Sequence, residues 1–150
     1  MARDLRFIAT ALKIVRDIER IGDTAVNIAE RAQELIQEPE LKRLLALPLM
    51  AQSAQRILKE SLDAFVNEDA ELAEAVVASD RAIDDMYEQI FRELLTYMIE
   101  DTRNISRAIK LIFIAKHPER VGDHSANIAE MVVFMVRGQD IRHGTRTDRG

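Results

Sequence analysis

The sequence predicts an all-α fold, an antiparallel bundle of about four long helices joined by short connections. Three observations carry this expectation. Apolar residues recur at steps of three and four through four long segments. Turns rich in Asn, Asp, Glu and Pro separate those segments. The composition, 47% apolar with only 5% aromatic residues, suits a core of Leu, Ile, Val and Ala.

The first helix is expected from about Ala2 to Gln37, with Leu5, Ile8, Leu12, Val15, Gly22, Val26 and Ala29 as its apolar stripe. Pro39 ends it, because the residue before a proline is biased away from the α region. A short turn is read at 40–46. The second helix then runs from about Pro48 to Asn67, with Pro48 in its first turn and Ala54, Ile57, Leu58, Ser61, Leu62 and Phe65 inward. Asn67-Glu68-Asp69 makes a turn and an N-cap. The third helix, from about Ala70 to Ile99, is ~45 Å long at 1.5 Å per residue. Its stripe is Leu72, Val76, Ile83, Met86 or Tyr87, Ile90, Leu94 and Tyr97, and Glu100-Asp101-Thr102 makes the next turn.

The fourth helix is expected from about Arg103 to Arg137, closed by Gly138 in the usual C-terminal position. Ile105, Ile109, Ile112, Ala115, Gly122, Ala126, Ala129, Val133 and Val136 form its stripe. Pro118 removes the donor that would bond Ile114, so an irregularity is expected before Glu119. Residues 139–150 are polar and aperiodic and read as a flexible tail.

Across these elements lies an internal repeat. Glu19-Arg20-Ile21-Gly22-Asp23 with Asn27-Ile28-Ala29-Glu30 returns 100 residues later as Glu119-Arg120-Val121-Gly122-Asp123 with Asn127-Ile128-Ala129-Glu130, eight of twelve positions being identical. Helices one and four are thus repeat partners, and a pseudo-twofold relation is the simplest geometry between them. In each copy Glu and Asp stand four apart, projecting from one helix face roughly 6 Å apart at Cβ. They interrupt the apolar stripes, where unpaired carboxylates cost several kcal/mol, so they need a cation, an arginine or a proton. Asp80 and Asp84 form a third pair at the same spacing. An all-oxygen set of this kind suits Mg, Ca, Mn or oxidised iron and not structural zinc. The bland alternative is a solvated face in which Glu19 and Asp23 pair with Arg16 or Arg20. Asn27 and Asn127 either orient ligands from behind or bond between helices. His124 reads as a surface histidine or a ligand, and His117 as a local cap beside Pro118.

Composition sets further bounds. The 150 residues make one domain of ordinary size, with 31% charged residues and a net charge of −5. There is no basic run interleaved with aromatics, so nucleic acid is not an expected partner. The absence of cysteine excludes disulfides and thiolate metal sites and fits a cytoplasmic location. Charged residues interrupt every apolar run before it reaches membrane-spanning length.

These residues carry a resemblance. Both copies of Glu-Arg-Ile/Val-Gly-Asp with Asn-Ile-Ala-Glu, the stretch Leu94-Leu95-Thr96-Tyr97-Met98-Ile99-Glu100-Asp101, and the ending Val136-Arg137-Gly138-Gln139-Asp140-Ile141-Arg142-His143 resemble the PhoU family of phosphate-uptake regulators. The family fold is two three-helix repeats with Glu/Asp-x-x-x-Asp patterns. The chain resembles its last four helices, and the opening pair has no counterpart, as in a fragment, a late start or a shortened variant. The expected organisation is one helical domain over 1–138, a partial first repeat (1–67) with a complete second (68–138), then the tail. The resemblance implies multinuclear metal clusters, usually of iron, on Glu19 and Asp23, on Asp80 and Asp84, and on Glu119 and Asp123. It implies a negative regulator of the phosphate response. Such a protein is an adaptor between the ATPase of a phosphate ABC transporter and a sensor histidine kinase, at the membrane only through these partners.

Two other classes fit less well. A carboxylate-bridged di-metal enzyme on a helical bundle needs Glu-x-x-His on two helices, and no Glu here is followed by His at that spacing. A phosphotransfer bundle needs an exposed histidine, whereas His117, His124 and His143 lie beside a proline, beside a carboxylate and in the tail. A purely structural interaction module is the remaining alternative. No catalytic residue is expected. The stripe Leu5, Ile8, Leu12 and Val15, which lacks the cover of two further helices, predicts self-association as a homodimer.

Overall fold

In a computed structural model, which describes residues 2–38, 41 and 46–138, the chain forms four long helices and, among the described residues, no strand. They are α1 (Ala2–Ile36), α2 (Ala46–Val66), α3 (Ala70–Glu100) and α4 (Ile105–Arg137), with one 3₁₀ turn at Thr102–Asn104 before α4. The turn expected at 40–46 and the tail at 139–150 fall largely or wholly outside the described residues.

The connections follow from local chemistry. Asp69 caps α3, its side chain accepting from the Leu72 amide at 3.1 Å. Asp101 ends α3 and accepts from the Arg103 amide at 2.9 Å, starting the 3₁₀ turn. Gly138 closes α4 at φ +68°, a left-handed conformation that costs glycine nothing. Pro48 falls in the first turn of α2, where its missing donor is harmless. Pro118 is buried within α4, and the helix continues through it.

The core lies among α2, α3 and α4. Met50, Ile57, Val76, Ile83, Ile90, Leu94, Ile128, Val132 and Val133 are fully buried there. The packing therefore groups α2 with α3 and α4, whereas the sequence reading placed the boundary between halves at residue 67. α4 touches all three other helices and is buried on more than one side, so its single expected stripe was too narrow. Ile105, Ile109 and Val136, expected inside, are each at least 36% exposed.

α1 packs its backbone against α4 alone. At its start, Phe7 stacks on Phe65 of α2, ring centroids 4.6 Å apart. Its stripe departs from expectation. Leu5, Ile8, Leu12, Val15 and Val26 are between 49% and 70% exposed, while Thr10, Ile14 and Asp17 on the opposite face meet α4. Asp17 Oδ1 lies 2.7 Å from His124 Nδ1, and Thr24 Oγ1 lies 2.9 Å from His117 Nδ1. Residue numbers rise along α1 as they fall along α4, so the pair is antiparallel. Shifting each residue by the repeat offset of 100 turns one contact into the other. α1 and α4 are accordingly related by a pseudo-twofold axis passing near residues 20–21 and 120–121.

Candidate metal centre

Four of the six expected carboxylates converge. Asp80 and Asp84 project from α3, one turn apart, toward Glu119 and Asp123 on α4. One ligand atom from each of Asp80, Asp84 and Asp123 lies within 4.8 Å of the others. Asp80 Oδ1 and Asp84 Oδ1 are buried and have no hydrogen-bond partner. Leaving such atoms unpaired costs each side chain its lost hydration, so the geometry asks for a cation or a proton.

The cluster already shows this strain electrostatically. Burial, then the charge of Asp84, pushes the Asp80 carboxyl up to about 6. Burial, then the charges of Glu119 and Asp80, pushes Asp123 up to about 7, although its side chain keeps contact with solvent. Asp84 is raised by burial and by Glu119. Asp123 is within hydrogen-bonding reach of both Asp80 and Glu119. One cation answers this charge. Lys116 Nζ lies 2.8 Å from Glu119 Oε2, though not aligned for a hydrogen bond to it, and 4.8 Å from the centroid of the Tyr87 ring.

Gly122 is what lets α3 come close. A Cβ there would stand 2.6 Å from Asp80 Oδ1 and 3.3 Å from Ile83 Cδ1. At Gly22 the same test meets nothing within 4 Å. Gly22→Ala is therefore expected to stabilise the isolated chain by up to ~1 kcal/mol, the helix-propensity gain. Gly122→Ala is expected to displace Asp80 and reduce both melting temperature and metal content. Equal behaviour of the two variants in thermal melts and elemental analysis would overturn the assignment of Gly122 to the site.

The other expected pair stands apart. Glu19 and Asp23 are exposed on the bare face of α1, and among the described residues no third acidic or imidazole group joins them. Neither forms an ion pair with Arg16 or Arg20, the alternative considered from the sequence. Asn27 and Asn127 line the walls of two grooves between α1 and α4. The histidines make contacts that the sequence did not suggest: His124 Nδ1 meets Asp17 and His117 Nδ1 meets Thr24, both across the α1–α4 seam. Burial and then the charge of Arg120 hold His117 below its ordinary pKa. Lys116 was missed, although its position three residues before Glu119 on a helix was a readable signal. The four carboxylates suit a hard, oxygen-preferring cation, since no sulfur or imidazole lies among them.

Comparisons with known proteins bear on the family and the fold. The PhoU domain family model matches residues 1–32 and 47–132. The chain is 46% identical over 141 residues to a protein named phosphate-specific transport system accessory protein PhoU homolog from Xylella fastidiosa, covering 94% of this chain and 60% of that one. It is 45% identical to the protein of the same name from Pseudomonas aeruginosa, over 95% of this chain and 59% of the relative. It therefore spans about three-fifths of the length of these relatives. The crystal structure of PhoU from Pseudomonas aeruginosa superposes with a TM-score of 0.88 at 44% identity, over 93% of this chain and 67% of that one. The phosphate transport system regulatory protein PhoU from Streptococcus pneumoniae gives 0.85 at 28% identity, over 94% and 67%. With its repeated motif, its helical architecture and these relatives, the chain belongs to the PhoU family.

Proposed function

We propose that the chain is a metal-binding accessory protein of phosphate transport and a negative regulator of phosphate uptake, acting through protein contacts and not as an enzyme. The observation that supports this best is the pair of buried, partnerless oxygens of Asp80 and Asp84 facing Glu119 and Asp123. Asp80, Asp84, Glu119 and Asp123 hold a multinuclear cluster, of iron by family resemblance, with Mn, Mg or Ca as the other hard ions. The bound cation supplies positive charge that offsets four carboxylates and ties α3 to α4. Glu19 and Asp23 take part in a second cluster only when another chain brings further oxygens to α1.

The partners are the ATPase of a phosphate ABC transporter and a sensor histidine kinase, met at the cytoplasmic side of the membrane. No helix among the described residues is long and apolar enough to cross a membrane. The bare face of α1 is covered by a second copy, giving a homodimer. The adaptor reading is tested by passing the purified, metal-loaded chain over the immobilised ATPase and the immobilised kinase. Retention on either, lost with chelator, is the expected result. Passage through both columns would overturn the adaptor role and leave the metal assignment to be decided by elemental analysis.

A further inference from the structure

In the second copy of the repeat, five of the eight identical residues, Glu119, Gly122, Asp123, Ile128 and Ala129, face the carboxylate site or the helix packing; the other three are Arg, Asn and the last Glu. These three line two grooves along the α1–α4 seam, exchanged by the pseudo-twofold axis. One groove takes Arg120 from α4 with Asn27 and Glu30 from α1. The other takes Arg20 from α1 with Asn127 and Glu130 from α4. Each groove thus needs both repeats.

The two have diverged in charge. In the first, of about 340 Å³, two of the three cations are already engaged, Arg31 over the Phe113 ring at 4.3 Å and Lys116 with Glu119, which leaves Arg120 beside Glu30 and Glu34. In the second, of about 600 Å³, Lys13, Arg16 and Arg20 stand at successive turns of α1, and none makes a hydrogen bond or ion pair with another described residue. Of the two carboxylates there, Asp17 is turned inward onto His124, leaving Glu130 against three cations. Met131 and the half-exposed Phe134 add an apolar wall.

We propose that this second groove binds a phosphate oxyanion, either the free ion or the phosphoryl group of a small organic monoester whose remainder lies on Met131 and Phe134. Two guanidinium forks and an ammonium converging from one helix match the tetrahedral oxygens of phosphate. The groove includes none of the four cluster carboxylates, although the charge of its Glu130 reaches Asp80, and it does not depend on a bound metal.

Calorimetric titration of the full chain tests this, in excess chelator and at fixed ionic strength, with inorganic phosphate in one arm and adenosine 5′-monophosphate in the other. Saturable binding of either probe is expected, weakened at least tenfold in Arg16→Ala/Arg20→Ala and in Lys13→Glu, and unchanged in Arg31→Ala. The tighter probe identifies the source of the phosphoryl group. Absence of saturation with both probes, equal affinity in the double variant, or equal loss in Arg31→Ala would overturn the proposal. All four side chains lie at the surface or groove edge, and circular dichroism of each variant confirms that the helices persist.

Discussion

Glu119→Gln/Asp123→Asn is expected to weaken metal binding on the order of a hundredfold or more, because affinity at oxygen sites follows the count of ligand charges. Helix content should not change, since the core of α2, α3 and α4 is untouched. The metal-free variant should also respond differently to pH. In the metal-free parent, Asp80 and Asp123 titrate near 6 and 7 when folded, above the ~3.9 of an unfolded aspartate. The folded state thus holds protons that the unfolded state has released, and stability is lost as pH rises through that window. In chelator, the parent's melting temperature should climb by a few degrees as pH falls from about 8 to about 5. The variant, with half the charge gone, should show a much flatter profile. Glu19→Gln/Asp23→Asn should leave both the metal of the α3–α4 site and the pH profile in place. Equal metal loss from the two double variants would contradict the convergence of α3 on α4 as the origin of the site.

The second large effect is expected in assembly. Leu5, Ile8, Leu12 and Val15 are about half to two-thirds exposed on one face of α1. Covering four such side chains is worth up to ~6–12 kcal/mol, at ~1.5–3 kcal/mol each. Association itself costs ~4–15 kcal/mol, so the net affinity falls where metal or further contacts decide it. A dimer at tens of micromolar is expected by analytical ultracentrifugation, and Leu12→Lys/Val15→Lys should return it to monomer. Glu19 and Asp23 lie on the same face, so two copies would oppose four carboxylates. Chelator should therefore weaken the dimer and a divalent ion should strengthen it. A well-folded monomer at these concentrations, with or without metal, would sink the assignment.

The helices and the α3–α4 carboxylates were legible because their signals are local. A cap at Asp69, a glycine at 138 and an Asp or Glu at every fourth position each declare themselves within one turn. What α1 faces was not legible, because this helix carries two apolar rows. Ile14, Ile21 and Ile28 make one, and Leu5, Ile8, Leu12 and Val15 the other. Periodicity selects the stronger row, while the structure places α4 on the weaker. The histidine contacts were hidden for a similar reason: Asp17–His124 and Thr24–His117 join positions about 100 residues apart, and only the antiparallel register pairs them. The repeat contained that register once a twofold relation was assumed, since positions 17 and 24 exchange roles between copies.

The lopsided attachment of α1 has a consequence for how the molecule opens. α2, α3 and α4 support one another on several sides, whereas the backbone of α1 packs against α4 alone, with Phe7 on Phe65 of α2 at its start and two histidine contacts near the middle of the seam. Helix α1 is thus expected to open as a unit of its own, at a lower free energy than the global transition, with faster amide hydrogen exchange than α2–α4 as the check. Its excursions leave the three-helix remainder folded and take apart both grooves at once, because each borrows one wall from α1. Whatever seats itself in either groove is then bound only to the closed form and draws the population toward it.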